Sequence, residues 1–393
     1  MLPRPVQALT SLPPYVFAEL DRLKAEARAR GISFVDLGIG SPDSPVDESI
    51  VDVLAKAVHD PSTHGYPSFR GLPKYLEAAA GFVKDRFGTS LDPSTQVLAL
   101  SGSKEGLAHV CMSYCGPGDV ALVPDVFYPV HARAPLLNGA DVHYMATSAA
   151  SGFLPDFDAI PADVAKRAKI LIVNYPNNPT GAVATLEFYE RAVAYARTHN
   201  LVLISDLAYS ELTFDGYVAP SIFEVDGAMD VAVEFHSCSK TFSMAGMRIG
   251  FVAGNAEIIN AMAAYRTNVG YGTPTAIQHA GAYALDNHKK LSAKACNRYR
   301  SRRDAVVAAF REIGWEIEPP KATMYIWQPI PEGYTEWEWT KALMEQAHVV
   351  VTPGIAFGPG GAGYFRISLV APEQVLGDAI RRLSALDAPV AGR

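Results

Sequence analysis

Cysteine is scarce in this chain, with Cys111, Cys115, Cys238 and Cys296 the only four in 393 residues. So few thiols cannot staple a fold of this length, and their use points to a reducing compartment. Cys111 and Cys115 have helical spacing, but no His/Cys cluster joins them, so no metal site is expected. Cationic excess is missing too. Lysine and arginine total 34 against 41 acidic residues, a net charge of −7, which argues against general attraction to nucleic acid or anionic lipid. The one local basic run, Arg298, Arg300, Arg302 and Arg303, reads as a solvated helix face. No apolar stretch is long enough to span a bilayer, and Met1-Leu2-Pro3-Arg4-Pro5 lacks the core of a signal peptide. Internal repeats and low-complexity linkers are also absent. A cytoplasmic enzyme is the expectation.

What the chain does have is apolar residues, 49% of the total, enough for a large core and two domains. Val97 to Leu100, Val120 to Val123, Ile170 to Val173, Leu201 to Ile204 and Val231 to Phe235 are continuous apolar runs. Runs of this kind suit strands covered on both faces, as in a parallel sheet. Leu186, Tyr189, Val193 and Ala196 recur at helical spacing and predict a crossover helix over about 185–199. Ile249 to Ala253 follows too closely for a crossover and is expected to run antiparallel. Beyond about residue 286 come a long polar helix, strand candidates at Met324–Gln328 and Tyr364–Leu369, and a closing helix near 373–386. The fold class is therefore α/β, with a large three-layer domain around a mostly parallel central sheet and a smaller α+β domain. The boundaries predicted are 46–285 for the large domain and 286–393 for the small one, which residues 1–45 join.

The densest chemistry lies in Ser237-Cys238-Ser239-Lys240 with Arg248 in Met247-Arg248-Ile249-Gly250. A lysine amine is a poor nucleophile until its surroundings lower its pKa or bind a carbonyl against it. Upstream, Asn174-Tyr175-Pro176-Asn177-Asn178-Pro179-Thr180-Gly181 follows one apolar run, and another ends in Asp206, with Tyr209 shortly after. In this order and spacing the motifs resemble the fold-type I aminotransferases of class I/II, over nearly the whole chain. The resemblance implies an aspartate-aminotransferase-like architecture, pyridoxal 5′-phosphate as cofactor, amino-acid and 2-oxo-acid substrates, and a homodimer.

It also implies roles for individual residues. Gly102, Ser103 and Lys104 open a helix after a strand, where free amide hydrogens bind anions, and with Ser237 and Arg248 they would hold the phosphate. Tyr66 would reach the phosphate of the neighbouring subunit. Asp206 would pair with the pyridine nitrogen, Tyr209 and Asn178 with the ring oxygen, and Tyr128 would stack on the ring. Arg366, with Asn178 and the Gly40 amide, would bind the substrate carboxylate. Lys240 would bind the cofactor covalently and then carry the proton between the substrate α-carbon and the cofactor. Tyr15 and Arg70 complete the expected substrate contacts, and whether the segment around Tyr15 closes over the ligand is left open. Gly358-Pro359-Gly360-Gly361-Ala362-Gly363 satisfies a dinucleotide pattern but opens no helix, and reads as a loop beside the pocket.

Two groups within the family share local sequence with this chain. Asn174 to Val183, Glu234-Phe235-His236-Ser237 and Val351-Thr352-Pro353-Gly354 look like the LL-diaminopimelate aminotransferases. Asp206-Leu207-Ala208-Tyr209 and Tyr271-Gly272-Thr273 look more like the glutamate–pyruvate (alanine-forming) transaminases. Arg70 stands where diaminopimelate enzymes tend to carry a glutamate, and Met247 where relatives usually have tryptophan. The expectation is a transaminase with glutamate/2-oxoglutarate as one pair and alanine/pyruvate or LL-diaminopimelate as the other. A C–S β-lyase built on the same residues is the alternative, and a non-enzymatic ligand-binding domain is disfavoured by the presence of Lys240.

Overall fold

The computed structural model describes residues 3–386. Met1, Leu2 and residues 387–393, at the outer ends of the two expected end segments, lie outside them. The apolar runs pair into a seven-stranded sheet: β1 (Val97–Leu100), β2 (Val120–Pro124), β3 (Asp141–Met145), β4 (Ala168–Val173), β5 (Val202–Asp206), β6 (Ala232–Ser237) and β7 (Gly250–Gly254). Their order is β1-β7-β6-β5-β4-β2-β3. β2 to β6 pair in parallel, and β7 is antiparallel to both β1 and β6, as its short connection required. Side chains alternate between two cores: Leu171 and Val173 enter one, Ile170 and Ile172 the other. That double burial is why these strands show no polar period. β3 escaped the sequence reading because it is the edge strand; four of its five residues are not fully buried, and Asp141 and His143 interrupt its apolar residues.

The crossover helix Leu186–His199 starts at Thr185, whose side chain accepts from the Phe188 amide, and stops at Asn200 in a left-handed conformation. Phe188, Tyr189, Ala192, Val193 and Ala196 form its buried stripe.

A second core gathers Tyr299, Phe310, Trp339 and Phe365. It lies between the helices His288–Glu312 and Glu373–Arg381 and an antiparallel sheet in which β10 (Tyr364–Ser368) sits between β8 (Tyr325–Pro329) and β9 (Thr352–Pro353). The N-terminal part of the chain reaches this core through Leu37 and through Val35–Asp36, which pairs with Val349–Val350. Among the described residues no helix is long and apolar enough to cross a membrane.

The basic run departs from its expected solvated face. Arg302 and Arg303 are buried. Arg302 donates to both oxygens of Asp43 at 2.7 and 2.8 Å and to the Leu369 carbonyl, while Arg303 pairs with Asp215. Asp43 and Asp215 are far away in sequence, and Asp304, which Arg303 also meets at 2.6 Å, is exposed, so nothing local announced the burial.

Glu234 on β6 has no exposed surface and ties the strand to its surroundings. It accepts from the Ser205 and Ser221 hydroxyls, the Ile222 amide and the His236 ring. Removing this acceptor would leave several buried donors unpaired. Glu234→Ala is expected to destabilise the protein by about 3 kcal/mol, read as a lower urea midpoint. A midpoint unchanged from the parent would refute this role.

Candidate active site

A cavity of about 340 Å³ opens at the C-terminal ends of the parallel strands, where doubly wound sheets place ligands. β5 ends in Asp206, β6 ends in Ser237, and Asn174 and Asn178 follow β4. Tyr128 follows β2, and Ser103 and Lys104 open the helix Ser103–Tyr114 after β1. The opposite wall comes from β8 and β10, through Tyr325 and Arg366, and from the N-terminal residues Tyr15, Phe17 and Gly40.

Lys240 is largely enclosed here, though its side chain keeps some exposure, and its Nζ donates to the Gly40 carbonyl. Burial lowers its pKa, aided by the positive charges of Arg366 and Arg248 and opposed by Tyr325. Arg366 donates to Asn178 Oδ1 at 2.8 Å and to the Gly38 carbonyl at 2.7 Å, while its Nε is buried without a partner. Its guanidinium lies between Tyr325 and Phe357, 4.3 and 4.6 Å from the ring centroids. Asp206 bonds the His131 ring through Oδ2 at 3.0 Å, and its Oδ1 is buried with no partner. Tyr209 shares a 2.9 Å hydrogen bond with the Tyr325 hydroxyl, and burial pushes its pKa well above the usual phenol range.

At the other end of the cavity, the helix Ser103–Tyr114 begins without a side-chain cap. Ser237, Ser239, Arg248 and Lys104 stand around that start. Gly102 is not on the cavity wall, but a Cβ there would collide with the Arg248 guanidinium, and its φ of +85° suits glycine. The run at 358–363 is a close-approach loop. Phe127 donates to the Phe357 carbonyl at 2.7 Å and Gly360 to that of Asp125 at 3.0 Å. A Cβ on Gly358, at φ +107°, would meet Phe127 and the Asp125 carbonyl. The loop thereby fixes Phe357 beneath Arg366.

Two of the residues singled out lie away from this cavity, Tyr66 being one expected to serve a neighbouring subunit. Tyr66 is 82% exposed and stacks on Tyr271, with ring centroids 4.3 Å apart. Arg70 does not line the cavity either. Its guanidinium donates to Asn260 Oδ1 at 2.8 Å and to the Thr95 carbonyl at 2.9 Å, which holds a loop to the sheet edge.

Comparison with known proteins places this geometry. The family model "Aminotransferase class I and II" matches residues 32–383. The chain belongs to the class I and II aminotransferases. Relatives named LL-diaminopimelate aminotransferase are 44% identical in Moorella thermoacetica, over 95% of this chain and 96% of the relative, and 46% in Dehalococcoides mccartyi, over 96% and 97%. Among solved structures, substrate-bound BacF from Bacillus subtilis superposes with a TM-score of 0.95 at 37% identity, covering 100% of both chains. A probable N-succinyldiaminopimelate aminotransferase from Thermus thermophilus gives 0.89 at 38%, covering 94% of this chain and 100% of that one.

The aminotransferase is therefore a transaminase whose cofactor is pyridoxal 5′-phosphate, and the cavity fits that group. The orphaned Oδ1 of Asp206 offers an acceptor to a protonated ring nitrogen, and the uncapped helix start with Lys104 and Arg248 suits a phosphate. Lys240 is the enclosed amine between them. Sequence reading missed His131 and Tyr325. His131 sits in an apolar stretch that reads as core, 75 positions from Asp206. Tyr325 alternates with apolar strand residues, so only the chemistry of its hydroxyl could have marked it. Met247 packs, partly buried, against the main core, and nothing in the structure explains its replacement of tryptophan.

In the cofactor-free protein, Lys240→Met is expected to raise stability, because a buried amine carries a desolvation penalty. Between the lowered folded pKa and the ordinary lysine value of 10.5, the unfolded chain holds a proton that the folded chain lacks. Stability of the lysine form therefore rises with pH, so the advantage of methionine should be largest at acidic pH and narrow toward 10.5. Urea midpoints across that range test it; a gap independent of pH would contradict it.

Proposed function

We propose that this transaminase exchanges the amino group of glutamate/2-oxoglutarate with that of a diaminopimelate-type amino acid, with alanine/pyruvate as the further candidate pair. The observation that carries the reading is Arg366, a wholly buried cation with a free Nε in a cavity also lined by Lys240. A buried guanidinium calls for an anion, and the substrate α-carboxylate supplies one. The diaminopimelate partner is supported by the relatives' names, and the position of Arg70 removes one objection to it. An arginine held by Asn260 and Thr95 does not meet a distal ammonium in its own cavity.

In this reading Arg366 and Asn178 orient the carboxylate beside the Gly40 backbone. Lys240, its pKa lowered by burial, is free to take a proton from the α-carbon and return it. Tyr209 stays protonated and donates, steadied by Tyr325. Asp206, held by His131, presents its free oxygen to the ring nitrogen, and Tyr128 supplies an aromatic face. Ser103, Lys104, Ser237 and Arg248 hold the phosphate. Pyridoxal 5′-phosphate, when bound, supplies a carbonyl carbon and an electron-withdrawing ring.

The exposed cluster of Tyr66, Tyr271 and Phe69 supports a homodimer in which Tyr66 meets a second copy, and the free cysteines support a cytoplasmic setting. C–S bond cleavage has no support from the relatives, which are named aminotransferases.

The test is the visible absorption spectrum of the holoenzyme before and after L-glutamate, LL-diaminopimelate or L-alanine. A shift to the pyridoxamine form with glutamate is expected. A cofactor band that all three leave unchanged would overturn the proposed substrates, and pyruvate released from cystathionine without a 2-oxo acid would favour the lyase. Arg366→Lys keeps the charge but loses the planar fork, and kcat/KM for the amino donor should fall about a hundredfold. An effect below about threefold, far less than one charge-assisted hydrogen bond contributes, would remove Arg366 from the carboxylate site.

A further inference from the structure

The cavity has one wall whose attachment is unusually narrow. Tyr15 and Phe17 line it, yet the chain before them runs over the surface. Pro13 and Pro14 have no amide hydrogen, so only their carbonyls can make backbone hydrogen bonds. Both carbonyls accept from one side chain. Arg133 donates through Nη1 to Pro13 and through Nη2 to Pro14, each at 3.3 Å. Among the described residues these are the only hydrogen bonds joining residues 3–14 to the rest of the chain. The same guanidinium lies 5.1 Å from the centroid of the Tyr15 ring. From there the contacts run inward: Tyr15 to Phe17 at 5.4 Å, Phe17 edge-on to Phe357 at 6.0 Å, and Phe357 beneath Arg366.

We infer that Arg133 is the latch that holds the N-terminal segment against the amino-acid pocket, a positioning residue that sets how firmly substrate is retained. A planar fork is preorganised to bridge two successive carbonyls while presenting its face to an aromatic ring, a geometry that a flexible ammonium holds less well. Its two bonds are long and partly solvated, hence individually weak, so the strap can release during turnover. Arg133 lies on the helix Val130–Leu137, which also carries His131. The anchor of the strap and the partner of Asp206 are thus one rigid unit. The inference rests on reading the cavity as the amino-acid site. Arg133 also has a direct electrostatic route to the pocket, since its charge is felt at Lys104, and the test has to separate the two.

Holoenzymes of the parent, Arg133→Ala and Arg133→Lys would be compared by hydrogen exchange over residues 7–19 and by steady-state kinetics with glutamate. For Arg133→Ala, exchange at the Tyr15 to Glu19 amides should quicken several-fold. KM should rise about tenfold, as the loss of two hydrogen bonds and a cation–π contact implies, with kcat and the cofactor band little changed. Arg133→Lys should recover less than half of both effects. Recovery of KM by lysine while exchange stays fast, or a raised KM with exchange unchanged, would mean that charge rather than the strap acts, and would overturn the latch. Loss of cofactor together with kcat would place the effect in His131 and overturn it equally. If glutamate proves not to be a donor, the exchange comparison still decides the latch while the substrate reading alone fails.

Discussion

The constraint on which the site depends is the enclosure of two cations in one cavity. Arg366 lies out of water and Lys240 is half-buried, and one short segment helps to solvate both: the Gly38 carbonyl accepts from Arg366 and the Gly40 carbonyl from Lys240. Asp36 holds that segment in place by accepting from the Gly38 amide and from the buried Lys24. Carbonyl dipoles offset only part of the cost of burying charge, so the cavity favours anionic ligands. Lys104 and Arg248 at the far end extend the same bias, while Asp206 is a carboxylate with an oxygen to spare. The arrangement selects a phosphate at one end, a carboxylate at the other and a protonated nitrogen between them.

Such a site cannot be built from one layer of structure. The parallel strands deliver Asp206, Ser237 and Asn178 at their C-terminal ends, but Arg366 and Tyr325 come from the antiparallel sheet of the second core, and Gly40 from the N-terminal part of the chain. Arg302 on Asp43 and Arg303 on Asp215 tie the long helix His288–Glu312 to segments near both walls. The glycine loop does similar work, letting backbone approach backbone so that Phe357 is fixed beneath Arg366. Interdigitation of this kind ties pocket geometry to the packing of both cores.

Much of this was legible in the residues themselves. Apolar runs without a polar period announced doubly covered strands, and the short step from Lys240 to the next strand announced its antiparallel direction. Lys240, Asp206, Tyr209 and Asn178 stood out because their motifs occur together in the order and spacing of the family they resemble. The failures share one physical cause. Arg302, Arg303 and His131 each bond a carboxylate far off in the chain, and Arg70 bonds Asn260 and the Thr95 carbonyl. A local window shows the charge but not its partner, so each was given the reading that suits an isolated residue.

Sequence by itself determined the family, the cofactor and the order of the strands' chemistry, because those depend on residue type and on spacing within short segments. Only the tertiary structure decided which polar groups are left unpaired: the Oδ1 of Asp206, the Nε of Arg366, and the two proline carbonyls that have one arginine for support. Unpaired and singly paired groups arise where segments distant in sequence converge, and burial by those neighbours removes the water that would otherwise satisfy them. The cavity and its wall are one such place; the second core, where Tyr299 Oη and Trp339 Nε1 lack partners, is another.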